Sequence, residues 1–88
     1  MTIKEFRAAL AKAGFTEEFF GKGVFTIPIT LNVKAVITIR NNCFDLTYRV
    51  MQPFSGELRH HYGIDLSTGL SVITAILETV KSSNIGTN

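Results

Sequence analysis

A β-hairpin centred on Asn41 and Asn42 constrains the fold of this chain more than any other feature of its sequence. If these residues form a two-residue turn, the flanking segments pair with apolar side chains together on one face. The apolar pairs are Ile39 with Phe44, Ile37 with Leu46, Ala35 with Tyr48, and Val33 with Val50. A shift of one residue would send every side chain to the opposite face. The sequence therefore predicts an antiparallel pair of strands in one specified register.

The N-terminal segment carries the signals of an amphipathic helix. Thr2 and Glu5 have the spacing of a capping box, in which each side chain binds the backbone amide of the other residue. Apolar residues then recur at helical steps until Gly14, which ends the helix because glycine readily adopts the left-handed conformation. The segment Thr16-Glu17-Glu18 predicts a second helical start, in which Phe19 and Phe20 anchor a short turn.

Residues 25–39 alternate between apolar and other side chains, which is the period of a β-strand. This run is longer than most strands, so we divide it near Asn32. The odd-numbered residues on both sides must share one face, which requires a connection of odd length, such as Leu31-Asn32-Val33 with Asn32 near the left-handed region. A single bent strand is the alternative. Pro28 lacks an amide donor, which predicts that its strand lies at an edge.

The C-terminal half begins with a third strand from Cys43 to about Met51 and ends in a helix. Turn-forming residues follow the strand at 52–56, and residues 57–63 show no clear period, so we expect a loop there. The helical stripe is Leu66, Leu70, Ile73, Leu77 and Val80. Asp65 or Ser67 is the expected N-cap, and residues 83–88 are expected to form a frayed tail.

These elements predict a two-layer α+β domain over residues 1–82 in the order α-β-β-β-α. The three-stranded antiparallel sheet has one apolar face, and both helices carry one apolar stripe, so we expect both helices to pack on that face. The 45% content of hydrophobic residues, which include seven Phe, is sufficient for a core and argues against disorder. Ile37 is expected beneath the helices in the central strand.

Composition restricts the function classes only weakly. Nine Lys and Arg residues against seven Asp and Glu give a net charge of +2, which is only mildly basic. A single cysteine excludes an internal disulfide and suits a reducing compartment. No apolar run is long enough to span a bilayer, and the first residues do not resemble a secretory signal. The expected location is therefore the cytoplasm, and no membrane partner is expected.

The segment from Glu57 to Tyr62 concentrates most of the residue types that carry chemistry. It contains Arg59, His60 and His61, and histidine both titrates near neutral pH and binds metals. Adjacent histidines point in different directions, and a zinc site would need further ligands. We therefore predict no cofactor, no metal and no catalytic residue, and we interpret the segment as a solvated loop. A small enzyme that uses this segment is the least favoured of three functional hypotheses.

The outward face of the hairpin supplies further candidate residues for binding. Lys34 stands opposite Arg49, which is a small like-charge cost that an acidic partner would relieve. Cys43 stands opposite Arg40 beside the turn, where a cation would favour its thiolate. The predicted face holds no aromatic side chain, so base stacking as in single-stranded RNA binding is disfavoured. The remaining outward residues among the candidates are Asp45 and Thr47.

The order α-β-β-β-α resembles that of double-stranded RNA-binding domains, although only in topology. That family carries lysines at the start of its last helix, whereas residues 67–71 contain no basic residue. The first hypothesis is therefore a non-enzymatic adaptor-like or inhibitor-like domain that binds another protein or a second copy of itself. The third strand, Cys43 to Val50, is the edge that we expect to pair. Nucleic-acid binding through a weakly basic sheet face, with Lys34, Arg40, Arg49 and Arg59, is the alternative.

Overall fold

The structure is a computed structural model that describes residues 1–19, 21–50 and 56–86. Its helices are α1 (Ile3–Ala13) and α2 (Gly69–Gly86), and a 3-10 turn (Leu66–Thr68) precedes α2. The strands are β1 (Thr16–Glu18), β2 (Val24–Pro28), β3 (Val33–Ile39), β4 (Cys43–Val50) and β5 (Gly56–Asp65). All five form one antiparallel sheet in sequence order. The predicted α+β class is confirmed, but the predicted three-stranded sheet is wrong because β1 and β5 flank it.

The hairpin register predicted from the sequence is confirmed. β3 and β4 pair at every position from Val33 with Val50 to Ile39 with Phe44. The amide of Arg40 donates to the carbonyl oxygen of Cys43 at 2.8 Å, which closes the turn at residues 41 and 42. The alternation of apolar and polar residues was sufficient to specify this register, because a slip would bury the polar face.

The N-terminal helix also forms as its sequence signals indicate. The Thr2 hydroxyl accepts from the amide of Glu5 at 3.1 Å, and the Glu5 carboxylate accepts from the amide of Thr2 at 2.8 Å. Gly14 follows the helix with φ at +102°. Its amide donates to the carbonyl oxygen of Ala11. The capping box and the left-handed glycine thus fix both ends of α1.

The hydrophobic core lies between one sheet face and the two helices. Its most buried side chains include Phe6 and Leu10 of α1, Ile76 of α2, and Ile37 and Phe44 of the sheet. Ile37 has no exposed surface, as expected for its central position. The rings of Phe6 and Phe44 lie 4.6 Å apart between their centroids. A Cβ on Gly69 would lie 2.8 Å from the Phe6 ring, so this glycine permits close contact between the helices.

The long alternating run is divided into β2 and β3 by residues 29–32, and because Ile29 still bonds to Val33, the turn itself consists of Thr30, Leu31 and Asn32. The amide of Ile29 donates to Val33 at 2.8 Å, and the Thr30 hydroxyl accepts from the amides of Asn32 and Val33. The loop has the predicted odd length but begins one residue earlier. Asn32 is not left-handed, because Phe19 is the one non-glycine residue with positive φ in the described ranges. The Thr30 side chain bridges the turn instead.

The prediction of a second helix at Thr16 is wrong, because this segment forms the edge strand β1. Glu17 Oε2 accepts from Arg7 Nη2 at 2.5 Å and from the amide of Gly23 at 3.2 Å. These tertiary bonds hold the carboxylate that was expected to cap a helix. Phe19 does not anchor the turn, since its side chain is 76% exposed, and Phe20 lies outside the described residues.

The strand that contains Pro28 is not an edge strand along its whole length. β1 pairs with residues 24–26 of β2, and Pro28 lies beyond the end of β1. Pro28 therefore lies in the part of β2 that β1 does not pair with, so its missing amide donor costs no hydrogen bond to β1. The prediction that this strand lies at the edge of the sheet is wrong, because β1 pairs with β2 on its outer side.

The expected loop at residues 57–63 is also wrong, because these residues belong to β5. The pairing of β4 with β5 shifts register between Phe44 and Leu46 and again between Tyr48 and Arg49. Each bulge inserts a residue into one strand and interrupts the alternation of faces. The segment consequently shows no continuous period of two in its sequence. The turn residues predicted at 52–55 lie outside the described residues.

The C-terminal helical segment has one of its predicted caps, but its first turn is 3-10 and α2 begins only at Gly69. The Asp65 carboxylate accepts from the amide of Ser67 at 2.9 Å, which identifies Asp65 as the cap of the 3-10 turn that leads into α2. The backbone of α2 is helical to Gly86 and therefore includes part of the segment predicted as a tail. No helix in the described ranges is long and apolar enough to cross a membrane.

Candidate binding surface at the β5 edge

The face of the sheet that points away from the helices carries one row of side chains across all five strands. The row consists of Thr16, Thr26, Val36, Thr47 and His60, each opposite the next in register. Thr26 and Val36 are only 7% and 8% exposed although they lie on the face opposite the core. The middle of the row is therefore shielded, and its exposed ends are Thr16 on β1 and His60 on β5.

Two of the predicted binding cations are paired with carboxylates on this outer face. Lys34 Nζ lies 3.8 Å from Glu18 Oε1, and Arg40 Nε lies 2.8 Å from Asp45 Oδ2. Lys34 stands opposite Arg49 as predicted, and its ion pair with Glu18 on β1 offsets that like-charge contact. The positive charge available to an acidic ligand is thus smaller than the sequence indicated.

Asp45 holds the bulge of β5 in place. Its side chain accepts from the amide of Gly63 at 2.9 Å and pairs with Arg40, while the residue is only 6% exposed. Gly63 has φ at +63°, a conformation that glycine adopts without the steric cost of a side chain. Asp45 was a predicted binding residue, but its carboxylate is engaged within the chain and fixes the backbone next to Tyr62.

An exposed aromatic pair lies beside this bulge. The rings of His60 and Tyr62 stack with centroids 5.2 Å apart and planes inclined by 22°. The Tyr62 hydroxyl lies 2.8 Å from His60 Nδ1, and the Thr47 hydroxyl lies 3.4 Å from the same nitrogen. Tyr62 is 68% exposed. The prediction of an outer face without aromatics is wrong, because β5 adds these two residues to it.

The two histidines lie on opposite faces of the sheet. His60 stands opposite Thr47 on the outer face, whereas His61 stands opposite Leu46, whose side chain joins the core. The side chain of His61 is nevertheless exposed, since it belongs to the last strand. No group of three or more His, Cys, Asp or Glu side chains that could hold a metal occurs in the described residues. The prediction that neighbouring histidines would diverge is confirmed.

The other predicted site residues are separated from this pair. Arg59 stands opposite Tyr48 in register, and its side chain lies outside the described part of the chain. Cys43 is a half-buried free cysteine opposite Asp65. The Arg40 guanidinium expected to act on Cys43 binds Asp45 instead. Hydrogen bonds from Ser67 lower the pKa of Asp65 below its ordinary value, in agreement with a capping role.

The prediction that the strand Cys43 to Val50 forms the binding edge is wrong, because this strand is not at an edge of the sheet. β4, which spans Cys43–Val50, pairs with β3 on one side and β5 on the other. The ten-residue β5 is instead the last strand on that side of the described sheet, and the three-residue β1 is the last on the other. The spacing of His60 and Tyr62 by two residues was the available signal for a strand, although the bulges obscured it.

Comparison of the sequence with protein-family models and curated proteins, and of the fold with solved structures, gives no significant match.

Proposed function

We propose that this chain is a small non-enzymatic domain that binds a protein partner by strand addition along β5. The observation that carries the proposal is the length of this terminal strand, ten residues against three in β1. A terminal strand offers backbone donors and acceptors to an extended segment of another chain. The adjacent side chains of such an edge provide the specificity of recognition.

The exposed side chains of β5 support this function. His60, His61 and Tyr62 are all exposed, and the contact between His60 and Tyr62 orders an aromatic surface beside the edge. Tyrosine is enriched in protein interfaces because it combines a large apolar ring with a hydrogen-bonding hydroxyl. A partner strand would therefore find both an accessible backbone and an ordered aromatic contact.

The test compares one added charge at each end of the sheet. Tyr62→Lys places a lysine on β5, and Thr16→Lys places one on exposed Thr16 of β1; lysine is a common protection of edge strands. Tagged wild-type protein and both variants would be used for affinity capture from cells that produce the chain, with quantitative mass spectrometry. We expect captured proteins to be lost with Tyr62→Lys and retained with Thr16→Lys.

Equal retention with both variants would contradict β5 as the binding edge, provided that circular dichroism and melting temperature show both to be folded. Equal loss would also contradict it, because β1 would then matter as much as β5. The two substituted positions are exposed, so neither substitution removes a buried contact.

Binding of single-stranded nucleic acid is a second candidate, which the His60–Tyr62 stack favours. Exposed aromatic rings are platforms for bases, and Arg49 is exposed on the same outer face. The ion pairs of Lys34 and Arg40 count against it. Fluorescence anisotropy with a labelled oligonucleotide at low and high salt would test this function. An affinity that does not fall with salt would contradict phosphate binding.

A further inference from the structure

The two bulges of β5 leave one short window of regular strand between them. Arg59, His60 and His61 stand in unbroken register with Tyr48, Thr47 and Leu46, and the register shifts lie on either side. A bulge bends its strand and disrupts the ladder, so an added strand pairs best between the bulges. Any segment that adds to β5 is therefore expected to pair with Arg59, His60 and His61, next to Tyr62 at the start of the second bulge.

This window is complementary to itself under two-fold symmetry. Two antiparallel strands related by an axis perpendicular to the sheet keep outer side chains opposite outer side chains. With the axis at His61, His60 of one copy faces Tyr62 of the other, and the same contact recurs on the other side. Each exposed aromatic pair would then extend into a cluster of four rings.

Other positions of the axis are less favourable. An axis at Tyr62 would cross the bulge at Gly63 and place outer His60 opposite Ile64, whose side chain packs against the core. An axis at Arg59 would place two guanidinium-bearing residues directly opposite each other, and like charges destabilise a cross-strand pair. Residues 58–64 include no carboxylate, and Glu57 and Asp65, which an axis at His61 would bring together, lie beyond the two bulges.

We propose that the partner of β5 is a second copy of this chain, paired antiparallel about a two-fold axis at His61. The inference rests on the proposed function, because it names the occupant of the same edge. The shared sheet would have ten strands, with the helices of both copies on one side. The paired window is short, so the dimer belongs with weak interfaces below about 1,200 Å² of buried surface.

Cysteine substitutions in a Cys43→Ser background test the register directly. A residue on the axis meets its own copy, so His61→Cys is expected to form a disulfide-linked dimer under mild oxidation. His60→Cys and Tyr62→Cys are each expected to remain largely monomeric alone. A mixture of these two variants is expected to cross-link, because position 60 of one copy faces position 62 of the other.

Analytical ultracentrifugation provides the equilibrium measurement from about 10 μM to about 1 mM, which spans weak association. We expect the wild type to dimerise in this range, and Tyr62→Lys to raise the dimer dissociation constant about tenfold or more. Thr16→Lys is expected to leave it unchanged. A monomer at all concentrations, or a dimer that fails to cross-link through His61→Cys, would overturn the proposal.

The outcome separates this inference from the proposed function. If the wild type is monomeric but captures a different protein in a manner that Tyr62→Lys abolishes, the second copy is excluded and the β5 edge is retained. If the chain dimerises with the same affinity in wild type and Tyr62→Lys, the dimer forms elsewhere and the second copy is excluded as the partner of β5, while the capture experiment alone decides the proposed function.

Discussion

The two edge strands of the described sheet differ in length and in how far their side chains are engaged in contacts within the chain. β1 is three residues long, and its Glu17 is tied to Arg7 of α1 and to the amide of Gly23. β5 is ten residues long and presents His61 and Tyr62 to solvent. The β1 side of the sheet is therefore fixed by tertiary contacts of its side chains, whereas His61 and Tyr62 of β5 are exposed.

One row of residues on the core-facing side of the sheet runs from β1 to β5. Substitutions along this row allow the contribution of each edge to stability to be compared. The row runs from Glu17 through Phe25, Ile37 and Leu46 to His61. The three central side chains are buried, whereas the ends are a bonded carboxylate and an exposed imidazole. Substitutions along this row should have a large effect at its centre, an intermediate effect at β1 and almost none at β5.

The largest effect is expected at the centre of the row. Ile37→Ala removes buried methyl groups from a side chain with no exposed surface. We expect the free energy of unfolding to fall by about 2–5 kcal/mol, because the cavity cannot collapse fully. Denaturant unfolding would measure this loss. An unchanged free energy of unfolding would contradict the packing of the helices on this face. The effects at the two edges could then no longer be compared with that of a buried position.

The two ends of the row provide the direct comparison of the edges. Glu17→Ala is expected to lower the free energy of unfolding by about 1–3 kcal/mol, because it leaves Arg7 and the buried Gly23 amide without their acceptor. His61→Ala is expected to change it by less than about 0.5 kcal/mol, as an exposed substitution usually does. Similar losses at both ends would show that the side chains of β5 stabilise the fold as much as those of β1.

The same comparison explains which parts of the fold the sequence could predict. The register of β3 and β4 followed from side-chain alternation because both strands are regular and have one buried face. The capping box, Gly14 and the Asp65 cap also followed from local chemistry. These features depend on residues close together in sequence or on an unbroken period.

The two edge strands could not be predicted, for different physical reasons. β1 is too short to show a period, and its acidic residues are held by Arg7 and Lys34, which are distant in sequence. β5 contains two bulges that interrupt its alternation. The candidate residues of the site could be named from the sequence. The contact between the rings of His60 and Tyr62 could not be predicted, because β5 was expected to be a loop.

The glycines beside the two edges should separate stability from binding. Gly21 follows β1 with φ at +82°, and Gly63 lies in β5 with φ at +63°; an added Cβ would meet nothing within 4 Å at either position. Alanine at each is expected to cost about 1 kcal/mol through backbone strain alone. Thermal unfolding should give similar losses, while ultracentrifugation should show weaker dimerisation for Gly63→Ala only. Unequal losses of stability would indicate that one turn is supported by contacts beyond its backbone.

A small effect of the opposite sign is expected at Phe19, a non-glycine residue with positive φ just after β1. Phe19 has φ at +52°, and its side chain is 76% exposed, so little packing offsets the strain. Phe19→Gly should relieve the left-handed strain at some cost in chain entropy, and we expect a gain of about 0.5–1 kcal/mol in the free energy of unfolding. Phe19→Ala, which keeps a Cβ, is the matched control and should give no comparable gain. If Phe19→Gly lowers the melting temperature, the aromatic ring stabilises the fold. The β1 side would then have stabilising contacts besides those of Glu17.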